Sequence, residues 1–160
     1  RDMILQMSRP TNSPRHKRSQ AGRLGDQLCF ALYAATNAMT RTYRPLLTEL
    51  DITYPQYLVL LVLWERDGIR LGEIAEELYL ATHAVSPIID RLEEAGLVQR
   101  ETDVNDARSV RVVLTKAGRA MESDAAQVQE AVRCRTSLEA NDVAELRAHL
   151  RALTENLLAE

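Results

Sequence analysis

The sequence predicts a mainly α chain with a small β component (α+β). Apolar residues recur at spacings of three and four over most of the 160 residues, and one run rich in β-branched residues interrupts them. A content of 46% hydrophobic and 27% charged residues is that of a globular chain, and no stretch approaches the roughly 18 uninterrupted apolar residues that a membrane span needs. The expectation is a cytoplasmic protein with no membrane partner. Two cysteines far apart do not make a secreted disulfide framework, so any pairing between them is expected to be regulatory.

Residues 1–22 are read as a disordered basic arm. Arg1, Arg9, Arg15, Lys17, Arg18 and Arg23 face only Asp2 before Asp26, while Pro10, Ser13, Pro14 and Ser19 discourage packing. A solvated tail is favoured over a phosphate contact. From Arg23 onward Leu24, Leu28, Ala31, Leu32, Ala35 and Met39 lay an apolar stripe along a long first helix that ends near Pro45. A second helix follows, with Thr53 as cap and Pro55 in the first turn, where a missing N–H costs nothing. It runs to about Arg66, and Tyr57–Trp64 is apolar nearly all round, as expected of a central buried helix.

Asp67-Gly68 breaks the chain. Leu71, Ile74, Ala75 and Leu78 then mark a short helix, Tyr79-Leu80-Ala81 a turn, and Val85, Ile88, Ile89 and Leu92 a further helix that Gly96 ends in the left-handed conformation. Two short helices about a tight turn make a helix-turn-helix. Residues 97–101 and 109–114 read as two strands, with a polar hairpin tip at 103–108 between them. The unit 54–114 is thus a winged helix-turn-helix. Thr115 caps a helix running to about Arg135, and a last helix from about Asn141 sets Val143, Leu146, Leu150, Leu153 and Leu157 along one seam. The helices of 23–50 and 115–160 either pack within one chain or, as favoured here, interlock with a second copy as the dimerisation region of one domain, 23–160.

Such a unit places the first turns of its second helix in the major groove, where short polar side chains meet base edges. Thr82, His83, Ser86, Pro87, Asp90 and Arg91 are the candidates on that helix. His83 is either a donor to guanine or phosphate or an ordinary surface histidine. Pro87 implies that one helical hydrogen bond is absent or that the helix begins later than the apolar pattern suggests. A net charge of −3 means that any contact with double-stranded DNA is local rather than a general coating of phosphate.

From Leu24 to about Leu158 the chain resembles the MarR family of winged-helix repressors. The resemblance is carried by Leu71–Leu78, by Ser86–Val98, by Asp106-Ala107-Arg108 and by Leu114-Thr115-Lys116-Ala117-Gly118, which match the DNA-reading segment and the Asp-x-Arg and Leu-Thr-x-x-Gly signatures of that family. It implies that Ser86 contacts a base or phosphate and that Arg108 enters the minor groove with Asp106 orienting its guanidinium. Within the family the chain is similar to the organic-hydroperoxide sensors, the OhrR group. Leu28-Cys29-Phe30-Ala31-Leu32-Tyr33 is the kind of segment that holds their reactive cysteine. Tyr33, Tyr43 and Tyr54 follow Cys29 by four, fourteen and twenty-five residues, and Cys134 follows by 105, where two-cysteine members carry a second thiol. Ala81-Thr82-His83-Ala84 departs from the group's usual Asp-Ser-Gly-Thr, which points to a different operator.

A thiolate, not a thiol, attacks a peroxide, so a sensing cysteine needs donors or positive charge. No Lys or Arg stands within one turn of Cys29, which leaves phenol hydroxyls. Tyr33 is one turn away, whereas Tyr43 is about 21 Å further along a straight helix and meets a cysteine only from a partner subunit. The resemblance implies a homodimeric repressor in which organic hydroperoxide oxidises Cys29, after which Cys29 bridges to Cys134. By resemblance alone, that bridge joins subunits.

The alternative within the same fold is release by a small phenolic or lipophilic ligand, with the cysteines incidental. A thiol peroxidase is disfavoured by the lack of a Cys-x-x-Cys pair beside a full winged unit, so no catalytic residue is assigned and the chain is not expected to be an enzyme. No cofactor is expected. His16, His83 and His149 have no metal-ligand spacing.

Overall fold

The structure is a computed structural model. It describes residues 22–103 and 106–159, without the side chains of 103 and 106–108. The chain divides into two units, Arg1–Thr36 and Asn37–Glu160. The described part of the first holds a 3₁₀ turn at Leu24–Asp26 and the start of α1 (Leu28–Thr48). Its apolar stripe is largely uncovered: Leu24 and Leu28 are exposed, and only Leu32 is half-buried. The basic arm expected at 1–22 lies outside the described residues except for Gly22.

In the second unit, α1 contains Pro45 and ends three residues later at Thr48, near the proline as expected. Helix α2 (Tyr54–Glu65) starts as expected at Thr53, and Pro55 sits in its first turn. The start is closed by Gln56, whose Oε1 accepts from the Thr53 backbone N–H at 2.7 Å and from its hydroxyl at 2.8 Å. Tyr57, Val59, Leu60 and Leu63 are all buried, each full burial of this kind contributing about 1.5–3 kcal/mol. The expectation of a central helix therefore holds.

Ile69–Arg70 form a strand, β1, which sequence reasoning missed. It exists by pairing antiparallel with β3, Ile69 against Val112 and Arg70 against Arg111. Helices α3 (Leu71–Glu77) and α4 (Thr82–Glu94) follow, and Gly96 closes α4 at φ +71°, in the predicted left-handed conformation. Strands β2 (Val98–Asp103) and β3 (Asp106–Leu114) complete a three-stranded antiparallel sheet in the order β1-β3-β2. Both wing strands are longer than predicted. Residues 106–108 therefore belong to β3 rather than to a hairpin tip, with Asp103 paired to Asp106 across a register shift.

The helix expected from Thr115 to Arg135 is two helices, α5 (Lys116–Ala120) and α6 (Glu122–Thr136), divided at Met121. Helix α7 (Ala140–Leu158) closes the chain and contains no buried residue. Along its predicted seam Leu146, Leu150 and Leu157 are exposed. The core of the unit lies where α2, α3, α4 and the sheet meet, at Leu60, Leu63, Ile74, Val85, Ile89, Leu92, Val98 and Val112, and it extends to Ala125 and Val128 of α6.

This is the winged helix-turn-helix predicted from the sequence: a mainly α fold with a small sheet.

Candidate nucleic-acid interface and cysteine sites

The turn between α3 and α4 is made by Tyr79, which adopts φ +53°, while the Leu80 N–H donates back to the Ala75 carbonyl at 2.9 Å. Helix α4 then begins at Thr82, and Ala81 before it offers no side-chain cap, so the positive end of its dipole is open to solvent. Val85, Ile89 and Leu92 bury one face. On the other, Thr82, Ser86 and Asp90 form one ridge and His83, Pro87 and Arg91 the next, at spacings of four. All six are exposed except Ser86, which is half-buried. Because α4 starts at Thr82 and contains Pro87, the first of the two readings of that proline applies: the hydrogen bond from residue 87 to the His83 carbonyl is missing.

Asp90 differs from its neighbours on this face. Its Oδ1 accepts from the Arg100 guanidinium of β2 at 2.6 Å. Arg100 also gives its backbone N–H to Glu93 at 2.9 Å and a second guanidinium N–H to the same carboxylate. The Arg100 N–H, and then its guanidinium, hold the Glu93 carboxyl below its ordinary value. Neither Arg100 nor Glu93 was foreseen as part of this site. The two lie on either side of the Gly96 turn, so no helical spacing relates them.

Behind the wing, two motifs join distant segments. Asp67 Oδ1 accepts from the backbone N–H of Gly68 at 2.9 Å and of Leu114 at 2.8 Å, and its Oδ2 pairs with Arg119 at 2.9 Å. Thr115 donates its hydroxyl to the Gly96 carbonyl at 2.7 Å and accepts from the Gly118 N–H at 3.1 Å, capping α5 as expected. A Cβ on Gly118 would stand 2.1 Å from the Leu97 carbonyl oxygen, while Trp64 Nε1 donates to the Gly118 carbonyl at 2.9 Å. The Leu-Thr-x-x-Gly motif therefore bolts the end of α4 to the helix after the wing. The side chains of Asp106 and Arg108 lie outside the described residues; their backbone is in β3.

Cys29 is exposed near the start of α1, with Tyr33 exposed one turn further on. In the second unit, Tyr43 and Tyr54 pack ring to ring at 5.0 Å, and Tyr57 joins them at 5.6 and 6.3 Å. Burial raises the hydroxyls of Tyr43 and Tyr54. It pushes Tyr57 to about 12, helped by its two neighbours and by a hydrogen bond with Tyr43. Tyr57 was read from sequence only as a core residue. Its spacing of three from Tyr54, which puts both on one helix face, is the signal that would have found it. Cys134 is exposed on α6, and its thiol donates to Glu130 Oε1 at 3.5 Å. The structure thus brings Tyr43 and Tyr54 together, and each cysteine is a free thiol.

The MarR family model matches residues 52–110, the helix-turn-helix and the start of the wing. The organic hydroperoxide resistance transcriptional regulator of Bacillus subtilis is 38% identical over 135 residues, covering 84% of this chain and 92% of its own length. The chain belongs to the MarR family. Among solved structures, AbfR of Staphylococcus epidermidis in its reduced, DNA-bound form is 32% identical with a TM-score of 0.69, covering 85% of this chain and 94% of that one. Its disulfide-formed state matches at a TM-score of 0.58 and 32% identity, over 84% and 90% of the two chains. The chain is a transcriptional regulator of MarR type. Its fold and its relatives are those of DNA-binding regulators rather than enzymes. Among the described residues no helix is long and apolar enough to cross a membrane.

Proposed function

We propose that the chain is a redox-sensing MarR repressor that binds operator DNA as a homodimer and releases it when an organic hydroperoxide oxidises Cys29. The observation that carries this reading is the exposed Cys29 thiol with Tyr33 one turn away, in a chain 38% identical to a hydroperoxide resistance regulator. The Cys29 thiolate attacks the peroxide, an S–O bond forms as the O–O bond breaks, and the organic part leaves as an alcohol. Sulfur loses two electrons and becomes a sulfenic acid. The Cys134 thiol then displaces that oxygen as water and forms the disulfide. Tyr33 from the same helix, and Tyr43 and Tyr54 from a partner subunit, donate hydroxyl hydrogen bonds to the reacting sulfur.

The helices of 23–50 and 115–160 form the dimer, the winged unit 54–114 reads DNA, and residues 1–22 precede them as a basic arm. The uncovered leucines of α1 and α7 support a second copy. Thr82, His83, Ser86, Pro87 and Arg91 face the major groove from α4, with Asp90 at its edge, while Arg108, oriented by Asp106, enters the minor groove. A disulfide draws its two Cα atoms to within about 7 Å, so a bridge between subunits re-aims the paired winged units and half-site spacing is lost.

A second reading, release by a small phenolic or lipophilic ligand, is favoured only by the cleft between α2 and α6 lined by Tyr57, Leu61, Trp64, Glu65, Glu122 and Gln129. One titration separates the two. DNA binding by wild type, Cys29→Ser and Cys134→Ser is followed as cumene hydroperoxide or salicylate is added, with non-reducing gels in parallel. The redox reading expects peroxide to release wild type but not Cys29→Ser, with a thiol-reversible disulfide present only when both cysteines are. Release of Cys29→Ser by peroxide, or release of wild type by salicylate alone, would sink it.

A further inference from the structure

We propose that Arg100 is a positioning residue for DNA reading: it locks the strand leading into the wing onto the groove-facing side of α4, so that helix and wing meet the duplex at one fixed spacing. The inference rests on the DNA-binding role of the chain and is independent of its cysteines.

Arg100 sits in β2, paired with Val112 of the central strand, and β2 runs on from there to Asp103 at the wing. Its guanidinium reaches out of the sheet to two carboxylates one turn apart on α4, Asp90 at 2.6 Å and Glu93, and its backbone N–H takes Glu93 as well. The carboxylates are half open to water, with side-chain exposures of 55% and 39%, so solvent screening leaves the pair little share in overall stability. The buried Val85, Ile89, Leu92, Val98 and Val112 hold the fold beneath it. What the clamp does fix is the angle between α4 and the wing strand, because a planar guanidinium fork satisfies two acceptors in one orientation. It also compensates the charge of Asp90, which would otherwise repel phosphate beside Ser86 and Arg91.

The experiment measures affinity of the reduced protein for a duplex that wild type selects from a random-sequence pool, against a scrambled duplex of equal length. The variants are Arg100→Gln, Arg100→Lys and Glu93→Gln, and each is checked by circular dichroism and thermal melting. For both Arg100 variants the ratio of selected to scrambled affinity is expected to fall by about tenfold or more, since lysine keeps the charge but not the fork. Glu93→Gln, which keeps the guanidinium and its charge, loses discrimination in the same direction. The slope of log affinity against log salt for the selected duplex stays that of wild type, because Arg100 is not itself on a phosphate. A lysine variant that discriminates like wild type overturns the proposal, and so does a slope reduced by about one, which would make Arg100 a phosphate contact. If Arg100→Gln fails to fold, the lysine and Glu93 variants decide.

Discussion

The winged unit and helix α7 are both rich in apolar side chains, yet within one chain they reach opposite states. In the first, Val85, Ile89 and Leu92 of α4 are fully buried, and the turns around them are bolted by Asp67, Thr115 and Gly118. In α7 no residue is buried, and Leu146, Leu150 and Leu157 stand open. The winged unit therefore buries its own core within a single copy. The flanking helix carries the same kind of stripe, and nothing among the described residues buries it, which is what an association surface requires.

The contrast can be broken at three places, in order of effect. Gly118→Ala puts a Cβ against a backbone oxygen that no side-chain rotation can move, and is expected to cost about 3 kcal/mol or more, read as a large drop in melting temperature. A small drop would show that the bolt behind the wing is looser than its geometry. Leu150→Glu should leave the winged unit folded by circular dichroism but weaken self-association by about 2 kcal/mol, the worth of one leucine face. Sedimentation at a single-chain mass with an unchanged spectrum is the expected outcome; unaltered mass would remove α7 from the interface.

Glu93→Gln has the smallest effect, under about 1 kcal/mol near neutrality given its exposure. Its sign follows from the lowered carboxyl. The clamp contributes stability above the unfolded-state value near 4.5 and loses it as pH falls through the lower folded value. Wild type should therefore shed part of its stability below about pH 4, and the glutamine variant should lack that portion of the pH profile. Identical acid limbs would show that Glu93 is not held by Arg100 in solution.

Much of this arrangement is legible in the sequence where a local rule acts. Val85, Ile89 and Leu92 at helical spacing and Gly96 as the stop located α4, and Thr115 announced the next helix. Strand β1 was illegible because Ile69–Arg70 has no pattern of its own and exists only through Val112 and Arg111. The break at Met121 was hidden for a similar reason. Residues 116–136 hold no proline, and the one glycine, Gly118, stands in the first turn rather than at the break, so what ends α5 is tertiary, the seating of Gly118 against Leu97 and Trp64. The wing strands were cut short because their polar ends, Thr102-Asp103 and Asp106-Ala107-Arg108, lack apolar alternation. At the site, the cysteine and tyrosine spacings could be read in one dimension, but the tie from Asp90 to Arg100 crosses the chain reversal at Gly96, which no helical or strand spacing encodes.

Pro87 carries one more consequence. Scanning α4 with alanine removes side chains one at a time, but the oxygen left without its usual donor at position 83 belongs to the main chain. Every variant at His83, whatever its side chain, keeps that carbonyl near the exposed entrance of the helix, so a scan that finds position 83 silent reports only on the imidazole. The residue that governs the oxygen sits one turn later, where restoring an N–H would close the ladder.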